Sequence, residues 1–256
     1  MAENNAIKLE KTSGTFVMFP GAPEAKKEKS IGAYCSDGRP KGRAADPLKS
    51  SDEFQAIKEY ILNSKSKYRI RNYTLIAVGC TLGLRYSDLA RLIVRDVFEK
   101  DGSVRDYVEL FEKKTGKRSK NAITPVAREA LELYRDERFP DGEFTLKTLS
   151  EPLFCSRKSN SDGTPRAITI VQAYRILQDA AQGANIKQHI STHSLRKTYG
   201  YMARKGAAES GVNEGSVMDL LQSKFKHSDQ RVTMHYIGVE QEEIDSLALI
   251  VDSGLE

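Results

Sequence analysis

The stretch RNYTLIAVGCTLGL, residues 71–84, is mostly apolar and closes on a glycine turn. A helix apolar nearly all round belongs inside a larger body, not on its surface. No apolar stretch in the 256 residues approaches the ~20 needed to span a bilayer. The chain must therefore provide other elements that wrap this one.

Candidate wrapping elements lie on both sides. SSDEFQAIKEYIL offers Ser51 or Asp52 as an N-cap, followed by Phe54, Ile57, Tyr60 and Ile61 at helical spacing. YSDLARLIVRDV (86–97) predicts a second helix with Ser87 as its cap. YVELF (107–111) and NAIT (121–124) read as short strands. The basic segment EKKTGKRSK lies between them with Gly116 at its tip, which predicts a hairpin with a cationic loop. Helical patterns return over 125–137, 168–184, about 192–204, 216–225 and 240–252, and no repeat is present. The expected class is mainly α with a small antiparallel β-sheet (α+β).

Residues 1–50 differ from the rest. They carry the basic run KKEK and the segment CSDGRPKGRAADPLKS, and their apolar periodicity is weak, as in a flexible basic tail. The packed domain is expected over 51–256. Hydrophobic content of 39% and charged content of 29% fit a globular chain rather than a disordered one. The polar start, MAENNAIKLEKTSG, lacks the apolar run of a signal peptide, so the expected location is the cytoplasm. Cys35, Cys80 and Cys155 form no CxxC pair and read as free thiols. A net charge of +5 permits nucleic-acid binding without establishing it.

The chain contains no GxxxxGK[ST], HExxH or GxSxG motif, and no carboxylates cluster at metal-ligand spacing. Catalysis would have to use arginine, lysine, histidine and a hydroxyl. Those groups occur in a definite order. Arg85 follows the TLGL helix end and Lys114 sits in the hairpin turn. His193 and Arg196 share a helix face at i, i+3, and Tyr236 comes nine residues after His227.

With this order and spacing the chain resembles the tyrosine recombinase (phage integrase) family. GLRYSDLARL resembles its first arginine box and KKTGK its hairpin lysine. THSLRKTYGY resembles its second box, and KHSDQRVTMHYIG the box that ends in the nucleophile. The resemblance covers about 51–256 and implies a tyrosine recombinase / type IB topoisomerase-like catalytic fold. It further implies site-specific DNA recombination through a 3′-phosphotyrosyl link on Tyr236, with no cofactor and no metal.

The chemistry suits these groups. Attack on a phosphodiester builds negative charge on the non-bridging oxygens, and two guanidiniums can neutralise it where other enzymes use Mg²⁺. Arg85 and Arg196 take that role by resemblance, and losing one such donor typically costs about 3–4 kcal/mol in the transition state. Lys114 is the implied general acid for the leaving 5′-oxygen, with Lys117 as the alternative or as a DNA contact. A free phenol has a pKa of about 10, so Tyr236 needs a base, for which His193 is the candidate. His227 is an implied donor to the phosphate, and Asp88, one turn past Arg85, a supporting acid. Tyr199 and Tyr201 read as packing residues, His235 as exposed or touching DNA, and His189 as having no evident partner.

Three features depart from the family pattern. Arg196 and His227 are 31 residues apart, a long gap, and the excess is expected as a loop in ARKGAAESGVNEGS. Lys226 stands where a glycine usually precedes the third-box histidine, which alters the loop or adds a phosphate contact. The separate DNA-clamping domain that most members carry has no counterpart in fifty tail-like residues. GRPKGR, with Arg39, Lys41 and Arg43, resembles the core of a minor-groove AT-hook over only six residues, and a flexible basic linker is the preferred reading.

The expected partners are double-stranded DNA and further copies of the chain in a tetramer, with no membrane. Ile244, Leu247, Ala248 and Val251 form a stripe on the last helix, which either packs internally or docks into a neighbouring subunit. Two rival readings remain: a type IB topoisomerase-like enzyme that relaxes DNA, and a DNA-binding accessory protein that no longer cuts.

Overall fold

The computed structural model describes residues 44–238. The tail with Arg39, Lys41, Arg43 and Cys35, and the helix expected over 240–252, lie outside the described residues.

Helix α1 spans Ser51–Asn63 and α2 spans Arg69–Leu82. The cap of α1 is Ser50, whose Oγ accepts from the Glu53 amide at 3.1 Å, one residue before the expected cap. Residues 73–80 of α2 are all buried, as its apolar circumference requires. It packs against α1, against α4 (Pro125–Arg138) and against α7 (Thr192–Glu209). It stops at Gly83, which adopts φ +61.

The helix expected over 86–97 is interrupted. Helix α3 covers only Tyr86–Leu89. Beyond it, Leu92 O accepts from Leu153 N at 2.7 Å and Val94 N donates to Glu151 O at 3.0 Å, so Ile93 bridges to Pro152. These backbone groups are committed to a distant segment, and a short 3₁₀ turn, Val94–Asp96, replaces the rest of the helix.

Strand β1 occupies Tyr107–Phe111, as expected. Strand β2 is Arg118–Ala122, earlier than the predicted 121–124, and pairs antiparallel with Phe111 opposite Arg118. Gly116 N donates to Glu112 O and Glu112 N to Lys117 O, so the turn closes before Arg118. The last three residues of the expected cationic loop, Arg118 to Lys120, are therefore strand. The inward residue of β2 is Asn121, which is buried, and this polar strand shows no apolar alternation to read.

Pro125 opens α4 at a position where its missing N–H costs nothing. Helix α5 is one turn, Leu146–Leu149, and α6, Ile170–Gly183, begins in a Thr169/Gln172 capping box. Helix α7 runs on to Glu209, so much of the long segment expected as a loop is helix. Ala207 is buried there, and the chain breaks at Gly211 with φ +68. Helix α8 spans Glu214–Phe225. Helix α9, Gln230–Ile237, has no counterpart among the expected helices; its eight residues make only about two turns, too short for a periodic pattern to stand out. Asp229 caps it.

Residues 44–50 pack onto this body: Leu48 is buried and its amide donates to Thr198 Oγ1 at 2.9 Å. The main core surrounds α2. A second cluster of Met218, Leu221, Phe225 and Ile237 fills the junction of α7, α8 and α9, with Tyr199, Tyr201 and Tyr236 packed against it.

Candidate active site

Arg85 stands at the α2–α3 junction. The left-handed Gly83 turns the chain, and Arg85 is the extended residue that caps α3. Its Nη1 donates to Glu112 Oε2 at 2.6 Å and its Nη2 to Phe225 O at 3.4 Å. Arg196 lies within α7 and is 5% exposed. Its Nη1 donates to Gly83 O at 2.7 Å and its Nη2 to Phe225 O at 3.2 Å, and its guanidinium stacks 4.3 Å from the Phe225 ring centre. Two guanidiniums thus meet at one carbonyl. Burial pushes the Arg196 pKa down and Arg85 pushes it further, against Tyr236, Glu112 and Asp88. An arginine still stays protonated under such pressure.

His227 follows the turn that ends α8. Lys226 caps that helix at φ +55, and the His227 amide donates back to Gln222 O at 3.1 Å. Its Nδ1 is 3.0 Å from Thr233 Oγ1. The ring meets Tyr236 edge-on, with centres 5.2 Å apart. Burial lowers the His227 pKa, and Arg196, Arg85 and Lys114 add to the effect, so the neutral imidazole prevails at pH 7.

Tyr236 is half-buried on α9, also edge-on to Phe225 at 5.6 Å. Burial raises its pKa, while Arg196 and Arg85 pull it back, Arg196 also by a hydrogen bond to the phenol. The phenol is therefore protonated at neutral pH, and a nucleophilic role requires removal of that proton.

The hairpin borders this cluster. Lys114 is exposed at the turn, and its charge reaches His227. Asp88 is buried, and its Oδ1 accepts from the Lys113 amide at 2.8 Å, which ties the turn to α3. Lys117 is exposed, whereas the Lys226 ammonium lies 2.7 Å from Glu112 Oε1. His193 is exposed on α7, one turn before Arg196, and its ring makes no hydrogen bond to another described residue. Burial lowers its pKa, followed by Lys197 and Arg196. The fold thus gathers Arg85, Arg196, His227 and Tyr236, sets Lys114 at their edge, and leaves the His193 ring unlinked to Tyr236. His189 does have a partner, with its Nδ1 3.1 Å from Ala44 O.

Sequence reasoning missed four neighbours. Glu112 follows Val108 and Leu110 in the inward register of β1, a period-two signal that was available. Thr233 precedes Tyr236 by three on one helix face. The Lys197 ammonium sits 5.4 Å from the Tyr236 ring centre. Lys224 donates to Asn121 Oδ1, and its pKa is pushed down to about 8, chiefly by burial and then by Arg196. No local pattern marked either lysine. Burial raises the Glu112 pKa, but the Lys226 ammonium beside it and the hydrogen bonds from Thr115 and Arg85 outweigh this and hold the carboxyl below its usual range. No group of three or more His, Cys, Asp or Glu able to hold a metal is found among the described residues.

Gly200 lets the helices close over the site. A Cβ there would lie 2.5 Å from Ile237 Cγ2 and 2.9 Å from Phe225 Cε2. Alanine normally gains about 1 kcal/mol over glycine in a helix, whereas overpacking a tight contact costs about 1–3 kcal/mol. Gly200→Ala is therefore expected to lower stability in chemical denaturation. A raised midpoint would show that α7 and α9 part without cost.

The family model of the phage integrase family matches residues 50–243. A Bacillus subtilis (strain 168) protein described as probable integrase/recombinase YoeC is 32% identical over 199 residues, covering 77% of this chain and 91% of that protein. Among solved structures, XerA recombinase aligns with a TM-score of 0.56 at 18% identity, over 81% of this chain and 64% of that one. The XerH site-specific recombinase in its post-cleavage complex with a palindromic difH substrate aligns at 0.57 and 18% identity, over 88% of this chain and 57% of that one. This chain therefore spans less than two thirds of either solved recombinase. At such identity the structural likeness speaks for the fold, a mainly helical body with a two-stranded sheet. The family match over most of the chain, with a relative alike across nearly its full length, places this protein in the phage integrase family of tyrosine recombinases.

Proposed function

We propose that this chain performs site-specific DNA recombination, cutting one strand through Tyr236 and rejoining it to a partner strand. The Tyr236 oxygen attacks phosphorus, the bond to the 5′-oxygen breaks, and a 3′-phosphotyrosyl link forms. His193 accepts the phenol proton and Lys114 delivers one to the leaving 5′-oxygen. Arg85 and Arg196 hold the non-bridging oxygens, and His227 donates to one of them. Asp88 steadies the Lys114 turn through the Lys113 amide. The link conserves the energy of the phosphodiester bond, so rejoining is the same step reversed.

One observation carries this reading. Both guanidiniums donate to the carbonyl of Phe225, the residue whose ring also lies against Tyr236 and His227. Two cations held together by one carbonyl beside a phenol have further N–H groups to offer a phosphate oxygen next to it.

The remaining assignments belong to this proposal. The catalytic domain, expected over 51–256, also takes in the packed residues 44–50, and it acts on double-stranded DNA as a tetramer, with helix 240–252 docking between subunits. The tail before residue 44 supplies DNA contacts through Arg39, Lys41 and Arg43, and Lys117 adds one from the hairpin. No described helix is long and apolar enough to cross a membrane, and the reaction takes place in the cytoplasm.

The test is to incubate the protein with DNA from its own locus in EDTA, denature it, and map the DNA-bearing peptide. The expected product is an adduct on the peptide containing Tyr236. Clear binding without any adduct would favour the non-cutting accessory reading, and an adduct on another tyrosine would reassign the nucleophile.

A further inference from the structure

Glu112 is a buried carboxylate, 4% exposed, bonded directly to one of the two site guanidiniums. Its Oε2 accepts from Arg85 Nη1 at 2.6 Å and from Thr115 Oγ1 at 3.0 Å, while its Oε1 lies 2.7 Å from Lys226 Nζ. Its backbone closes the turn that holds Lys114, donating to Lys117 O at 3.0 Å and accepting from Gly116 N at 2.8 Å. One residue therefore joins the α2–α3 junction, the hairpin turn and the turn that leads into His227.

A carboxylate in this position has two opposed effects. It holds the Arg85 fork in one orientation, which favours catalysis by preorganisation. It also sets a negative charge against a group needed to neutralise phosphate. Lys226 offsets that charge, since Arg85, Glu112 and Lys226 together carry one net positive charge, the same as Arg85 alone. Lys226 makes this contact from φ +55, a conformation that a side chain disfavours and glycine accepts. A strained residue whose ammonium lands on the one carboxylate that, among the described residues, is bound to Arg85 is unlike an incidental surface lysine.

We propose that Glu112 is a positioning residue for Arg85 and the Lys114 turn, and that Lys226 is its paired ammonium, which keeps the carboxylate from cancelling the charge Arg85 offers to DNA. The inference rests on the strand-cleavage reading above.

Four proteins test it: wild type, Glu112→Gln, Lys226→Gly and the double variant. Adduct formation is timed at saturating DNA, with DNA affinity and melting temperature measured alongside. Lys226→Gly suits the backbone, so its melting temperature should not fall. It leaves the Glu112 anion on Arg85, and cleavage should slow ~10-fold, less than the ~10²–10³ for removing such a donor outright. Glu112→Gln should also slow cleavage ~10-fold while DNA affinity holds, because positioning is lost but positive charge is not. Added to Glu112→Gln, Lys226→Gly should change the rate by less than about 2-fold, because the anion it offsets is already gone. The same ~10-fold loss in both backgrounds, or wild-type cleavage by Glu112→Gln, would overturn the pairing. No adduct from wild type would sink the parent reading and this inference together. An adduct from wild type with additive losses would sink this inference alone.

Discussion

Tyr236→Phe is expected to bind DNA as the wild type does and to form no covalent adduct. The substitution removes one oxygen and keeps the ring, whose edge-on contacts with Phe225 and His227 at 5.6 and 5.2 Å hold α9 in place. The phenol hydrogen bond with Arg196 is lost, a change of about 1 kcal/mol in stability. The chemical loss is far larger, because the phenol oxygen is the proposed nucleophile. Tyr199 packs its ring 6.2 Å from Phe225, in the same cluster as Tyr201, and burial raises the Tyr199 pKa. Denaturing gels with labelled DNA, run beside a gel-shift assay on the same samples, separate binding from chemistry. An adduct that persists in Tyr236→Phe would mean that another residue attacks.

Arg196→Lys has the second largest expected effect. Lysine retains the charge but not the planar fork, and here the fork makes two bonds at once, to Gly83 O and Phe225 O. A point charge cannot hold both carbonyls and also face a phosphate. Single-turnover cleavage should fall by ~10²–10³ at saturating DNA. Gly83 O loses its guanidinium donor while Phe225 O keeps only the longer bond from Arg85, which should lower stability by about 1–3 kcal/mol. The Arg85→Lys counterpart should cost less stability, since the Arg85 side chain is 20% exposed and its close contact is to Glu112. Cleavage within tenfold of wild type after Arg196→Lys would mean that the fork geometry is not used.

Much of the architecture was readable without coordinates. Strand β1 and helix α4 lie where their patterns put them, because a period of two or 3.6 and a proline at the first helical position are local signals. The interrupted helix after Arg85 was not readable. Residues 86–97 carry a valid helical pattern, and it is overruled by hydrogen bonds to Glu151 and Leu153, more than fifty residues away. Strand β2 escaped for a related reason. Its apolar signal is absent, and its register follows from where the Glu112–Lys117 pair closes the turn.

The candidate site divides in the same way. The type and order of its groups, from Arg85 through Lys114, His193, Arg196 and His227 to Tyr236, stand in the sequence as short motifs on local elements. Their convergence does not. Phe225 O takes Arg85 from 140 positions away, and Gly83 O takes Arg196 from 113. Such contacts exist only after the chain has closed those long loops, at an entropic cost met by core burial. The roles of Glu112 and Lys226 belong to this second class. Each is an ordinary charged residue in its own segment, and they become a pair because folding sets a strand end beside a helix end. The sequence by itself determined which chemistry the chain could attempt. The tertiary structure decided which charges meet, because electrostatic contact depends on distance in space and not along the chain.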